Sequence, residues 1–220
     1  MLPIDLTTER IELEDGSCSY PYLWNGEEIL IRDDAKTVVK IYQLLNDNEV
    51  DENEKAVKVI SLIFVDPDDA FMCCDYEAQE FGKLINAITW DIFGIDTTGN
   101  RTQEALWDLT EDAPFIRASF RMAYDIDWDK VRDSMPWTEF VYLIAALPYE
   151  TPLGMRIYYR NKENRPKKTK HNKEQLAEFD RLHRLFALKQ PTKQKGSHDS
   201  ADVANNAMND FALAIRNSKR

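Results

Sequence analysis

Glycine is scarce, with 7 in 220 residues, and cysteine and histidine are scarcer, at 3 each. So few glycines among long stretches of strong helix formers point to a mainly α chain. The cysteines Cys18, Cys73 and Cys74 are odd in number, and the adjacent pair has neither CxxC nor zinc-ligand spacing, so a disulfide framework is excluded and a reducing, cytosolic compartment fits. No window reaches eighteen uninterrupted apolar residues, and the start "MLPIDLTTERIELEDG" lacks a basic segment followed by an apolar one. Neither a membrane span nor a signal peptide is expected. The glycine-rich phosphate loops G-x-x-x-x-G-K-[ST] and G-x-G-x-x-G and the G-x-S-x-G elbow are missing too, which removes the minimal parts of those chemistries.

What is abundant is acid, and it is unevenly placed. Residues 1–155 hold 12 Lys and Arg against 32 Asp and Glu, a net of −20, whereas residues 156–220 hold 16 against 7, a net of +9. An acidic body repels the phosphate backbone and gains nothing from counterion release, so nucleic acid is not expected as a partner of the main domain.

The chain is long enough for one core plus an extension. "RIELEDGSCSY" and "YLWNGEEILI" read as extended pieces around Asp15-Gly16 and Asn25-Gly26, and predict a small β-hairpin element within residues 1–32. From Asp33 the period becomes helical. Val38, Ile41, Tyr42 and Leu45, and then Ala56, Val59, Ile60 and Ile63, have the i, i+3, i+4, i+7 spacing of amphipathic helices. "DPDDAFMCCD" breaks the second helix, and Phe81, Leu84, Ile85, Ile88 and Ile92 define a third. Pro114, Pro136 and Pro152 stand at first helical positions, where the missing N–H is not needed. Leu176, Phe179, Leu182 and Phe186 mark another helix. The expectation is a helical, bundle-like domain over residues 33–189. Residues 190–220 are read as an extension in which "KQPTKQKGSHDS" is a flexible linker and Ala204, Met208, Phe211, Ala212 and Ile215 form a last helix.

Candidate chemistry is sparse. Asp125, Asp127 and Asp129 open like a calcium loop, but Lys130 replaces its glycine and Pro136 stands where the bidentate glutamate belongs; a helix-capping acidic loop fits better. His171, His183 and His198 have no ligand spacing. Neither metal, nor cofactor, nor catalytic activity is expected. The basic run Arg160, Lys162, Arg165, Lys167, Lys168 and Lys170 reads as a solvated loop or a local counter-charge to the chain's own acidic body, as a surface for an acidic protein partner, or as a nucleic-acid contact. The six are the candidate partner-binding residues. Trp128, Trp137, Phe140, Leu143, Ile144 and Leu147 suit a helix-loop-helix core, with an exposed aromatic patch as the other reading. Trp137, Phe140, Ile144 and Leu147 are expected to pack together against Phe120 and Tyr124.

"IRASFRMAYDIDW" followed by "MPWTEFVYLIAALPYETPLGMRIYYRNKE" resembles the bacteriophage family known as gene product fifteen, from siphophages and prophages of Gram-positive bacteria. Its members similarly show an aromatic-rich phrase ending in Ile-Asp, a Trp-x-x-Phe helix, a Leu-Pro turn followed by Thr and Leu, and an arginine ending. Here these are Phe120, Tyr124, Ile126, Asp127, Trp137, Phe140, Leu147, Pro148, Thr151, Leu153 and Arg160, with Asp125 where the family has glycine. The resemblance extends back through "YLWNGEEILIRDDAKTVVKIYQLLNDNE" and covers about residues 10–190. It implies a tail assembly chaperone that holds the apolar tape-measure protein soluble in the host cytoplasm, with an upstream tail assembly chaperone and the tail tube protein as further partners and a homo-oligomer left open. The alternative is a structural minor tail or adaptor component of the virion.

Overall fold

A computed structural model describes residues 9–47, 49–94 and 105–189. The extension 190–220, with its expected linker and last helix, lies outside them. The described chain is dominated by helices, with one small antiparallel sheet near its start. It divides into two compact units, one built on residues 9–94 with 132–141 and the other on 105–131 with 142–189, a finer division than a single helical domain.

In the first unit both glycine turns form, and they join three strands, β1 (Ile11–Glu12), β2 (Cys18–Trp24) and β3 (Glu27–Arg32), in the order β1-β2-β3. Asn25 and Gly26 sit at φ 50° and 90°, the doubly positive turn that asparagine and glycine tolerate. Strand alternation sends Tyr22, Ile29 and Ile31 into the core, while Leu23 remains 71% exposed. Helix α1 (Ala35–Leu45) starts where the Asp34 carboxylate accepts the Thr37 N–H at 2.8 Å. Its Val38 and Ile41 are buried as the spacing predicts, Tyr42 is half-buried, and Leu45, in the last turn, is exposed.

Asp51 caps α2 (Glu52–Ile63), whose Val59, Ile60 and Ile63 are buried. The segment read as a mere breaker is itself a helix, α3 (Pro67–Met72): Asp66 accepts the N–H groups of Asp68 and Asp69, and Pro67 takes the first turn. Phe71 and Phe64 both pack on Phe81 of α4 (Ala78–Asp91), with ring centroids 5.2 and 5.5 Å apart. Residues 132–136 return to the start of α1, where Ala35 N–H donates to Met135 O and Trp137 N–H to Asp33 O. Arg10 pairs there with Asp33, opposing the burial that raises that carboxyl above its ordinary pKa.

The second unit holds α5 (Ala113–Tyr124), α6 (Trp128–Val131), α8 (Pro152–Arg160) and α9 (Lys173–Phe186). Helix α7 (Trp137–Ala145) begins in the first unit and ends in the second. The residues expected to share one core are therefore divided. Trp137 and Phe140 belong to the first unit, Phe120, Tyr124 and Ile144 to the second, and Leu147 is only half-buried. Asp125 ends α5 at φ 54°, in the left-handed region that glycine enters without cost and aspartate tolerates.

Candidate partner-binding face

Helix α8 is the scaffold of the face. Thr151 caps it, accepting the Gly154 N–H at 3.1 Å and donating to Pro148 O at 2.7 Å. The Leu153 N–H donates to the buried Ser119 Oγ of α5. Gly154 leaves no room for a side chain, since a Cβ there would lie 2.1 Å from the backbone oxygen of Pro148. Gly154→Ala is expected to cost about 1–3 kcal/mol or more through displacement of this turn, read as a lowered melting temperature.

The six basic residues do not form one surface. Arg160 is buried, at 6% exposure, and all of its chemistry is used internally. Its guanidinium makes a two-armed pair with Asp112, at 2.5 and 2.9 Å, and also donates to Leu106 O and to Phe186 O. Arg160 is thus corrected from a surface residue to the bolt of the second unit, tying together the ends of α8 and α9 and the segment before α5. Arg165 is exposed but holds Asp180 of α9 through two bonds of 2.7 and 2.9 Å. Lys162, in a 3₁₀ turn (Lys162–Asn164), and Lys167, Lys168 and Lys170 are exposed. Asn172 shapes their loop, donating to Lys167 O and accepting the Thr169 N–H.

The second unit also holds an aromatic cluster built on α8 and α9. Tyr149 and Tyr158 meet edge to face at 5.0 Å, Tyr158 and Tyr159 at 5.1 Å, and Tyr159 lies 5.3 Å from Phe179. The Tyr149 and Tyr159 hydroxyls are hydrogen-bonded at 3.1 Å; that bond, followed by burial, raises Tyr159 to about 12. At neutral pH Tyr159 is therefore a packing group and not an acid or base. Tyr149 and Tyr158 are 43% and 37% exposed, and Asn164 of the basic turn donates to Tyr158 O at 3.0 Å, which ties that turn to the end of α8. Arg156 lies 3.5 Å over the Phe115 ring and 4.8 Å from that of Phe186. The signal available in sequence was the doublet Tyr158-Tyr159 on an amphipathic helix, placed next to, and not inside, the basic run that starts at Arg160.

Other candidates are spoken for. His183 holds Tyr159 O through Nδ1 at 2.7 Å, His171 is exposed, and His198 lies outside the described residues. The Asp125–Asp129 loop works as a cap: Asp127 accepts the Asp129 N–H, Asp129 pairs with Arg117, and Arg121 approaches Asp125 and Asp127. Among the described residues no group of three or more His, Cys, Asp or Glu is arranged to hold a metal, and no helix is long and apolar enough to cross a membrane. Burial pushes the Cys74 thiol up to about 11 and Cys73 also upward, away from thiolate reactivity at neutral pH. What the face can do chemically is grip: flat apolar rings with hydroxyls, bordered by flexible cations.

A family model described as Bacteriophage Gp15 protein matches residues 20–188. No curated protein and no solved structure matches the chain.

Proposed function

Because the chain belongs to the Bacteriophage Gp15 protein family, we propose that it is a tail assembly chaperone, a non-enzymatic holder that keeps the tape-measure protein soluble in the host cytoplasm. The observation that carries this reading is that the second unit exposes two tyrosines, Tyr149 and Tyr158, and four lysines, Lys162, Lys167, Lys168 and Lys170, on a chain whose net charge is −11. A long, apolar, helical guest aggregates unless its stripe is covered, and an aromatic surface does this while a rim of cations meets acidic residues along the guest. The net charge of −11 keeps the pair soluble. The upstream tail assembly chaperone and the tail tube protein are further proposed partners.

Co-purification tests the reading. The cognate tape-measure protein is expected to co-purify with this chain at low salt and to wash off progressively as salt rises. The triple substitution Lys167→Glu, Lys168→Glu, Lys170→Glu is expected to weaken the complex and flatten its salt dependence. Mass spectrometry of purified virions separates this from the structural alternative, since a holder is absent from the finished particle and a minor tail or adaptor protein is retained in it.

A further inference from the structure

Within the second unit, α8 packs on both α5 and α9, and α9 packs chiefly on α8. Of the 14 residues of α9 only Leu176 and Phe179 are buried, while Leu182, His183 and Phe186 are half-buried and Leu185 is exposed. Phe179 lies 6.3 Å from Tyr158 and 5.3 Å from Tyr159, and Phe186 lies 6.1 Å from Tyr159 and 4.8 Å from the Arg156 guanidinium. The other fastenings are polar and at least partly exposed: Arg165 with Asp180, His183 Nδ1 with Tyr159 O at 2.7 Å, Arg160 Nε donating to Phe186 O, and the Lys189 N–H donating to Glu111. Few buried apolar side chains and many exposed hydrogen bonds mark the part of a fold that opens locally at least cost. By contrast, α5 and α8 bury Ile116, Ser119, Phe120, Leu153 and Gly154, and the pair of Arg160 with Asp112 does not involve α9.

We propose that α9 is a displaceable strap, the internal occupant of a helix-binding site on α8, and that an amphipathic helix of a partner takes the site by replacing it. Helix α9 itself shows what the site fits: a helix that carries Leu176, Phe179, Leu182 and Phe186 along one stripe and sets its phenylalanines on tyrosine rings. A partner helix with a similar stripe of leucine and phenylalanine meets the same rings, and Tyr158, 37% exposed with α9 in place, is where it first makes contact. The strap lowers the apparent affinity of any such helix in proportion to the fraction of chains in which it is open, and it covers apolar surface that would otherwise drive aggregation. Only the identity of the guest rests on the chaperone reading. The strap is tested without tape-measure protein, so its failure leaves that reading standing.

Native-state hydrogen exchange of the full wild-type chain, with no partner added, reads the strap directly. The slowest amides of α9 are expected to exchange at least about tenfold faster than the slowest of α5 and α8, through an opening that leaves those two helices closed. A fluorescein-labelled peptide of residues 172–189 then serves as the partner helix, with binding followed by anisotropy. It is expected to bind the full-length Phe179→Ala chain, whose own strap has lost a buried ring, at least about tenfold more tightly than the wild-type chain. The same peptide carrying Phe179→Ala binds neither chain. Equal protection of α9, α5 and α8 overturns the proposal, and this measurement needs no variant, so it decides even where Phe179→Ala does not fold. Peptide binding that is the same for both chains, or absent from both, overturns it as well. Protection of α9 that rises with protein concentration also overturns it, in favour of the α9 of a second copy as occupant.

Discussion

Replacing Arg160 with alanine is expected to lower the unfolding free energy by about 3–5 kcal/mol, because it leaves the Asp112 carboxylate as an unpaired buried charge. The two side chains are 4% and 0% exposed, so neither has water to fall back on. The substitution also strips the Leu106 and Phe186 carbonyls of their donors. Arg160→Lys should recover little of the loss, since a single ammonium cannot reproduce the planar two-armed pair and two further bonds. Urea unfolding followed by circular dichroism reads both variants. An arginine on a solvated basic loop would move stability by no more than about 0.5 kcal/mol, so an unchanged unfolding curve for Arg160→Ala would remove it from the core of the second unit.

The next largest effect is expected at Trp137. Its indole is 5% exposed, stacks on Phe140 with centroids 5.0 Å apart, and donates from Nε1 to Phe93 O at 2.8 Å. Trp137→Ala empties that volume and orphans the Phe93 carbonyl, for a loss of about 3–5 kcal/mol. Trp137→Phe retains most of the ring contact but not the hydrogen bond, and should fall between the two. A thermal melt of Trp137→Ala that overlays the wild type would contradict the placement of this residue in the first unit's core.

Periodicity made the larger helices legible. Val59, Ile60 and Ile63 of α2, Phe81, Leu84, Ile85 and Ile88 of α4, and Leu176 and Phe179 of α9 lie inward where their spacing puts them, and the Asn25-Gly26 turn has the positive φ pair its residues announce. Helix α3 was hidden because only Ala70 and Phe71 face inward, too short a stripe to show a period, although Asp66-Pro67 was a start signal in plain view. The division of α7 between two units was illegible for another reason. Trp137 and Ile144 share one apolar helix face, and nothing local states which neighbours each end will find. Arg160 was misread because charge runs are counted along the chain, whereas its partner Asp112 lies 48 residues away. The aromatic half of the face was missed on the same ground: Tyr149, Tyr158 and Phe179 become neighbours only once α8 and α9 have packed.

The proposed role is tested most directly by the soluble fraction of the cognate tape-measure protein expressed alone, with the wild-type chain, and with a chain carrying Tyr149→Glu and Tyr158→Glu. Both tyrosines are partly exposed, so the charges fall on the face while the buried core of the second unit is left in place. The account predicts that the wild-type chain raises the soluble fraction several-fold and that the double variant, folded by circular dichroism, does not. A tape-measure protein equally insoluble in all three cases, and still so when the upstream chaperone is supplied, would contradict it.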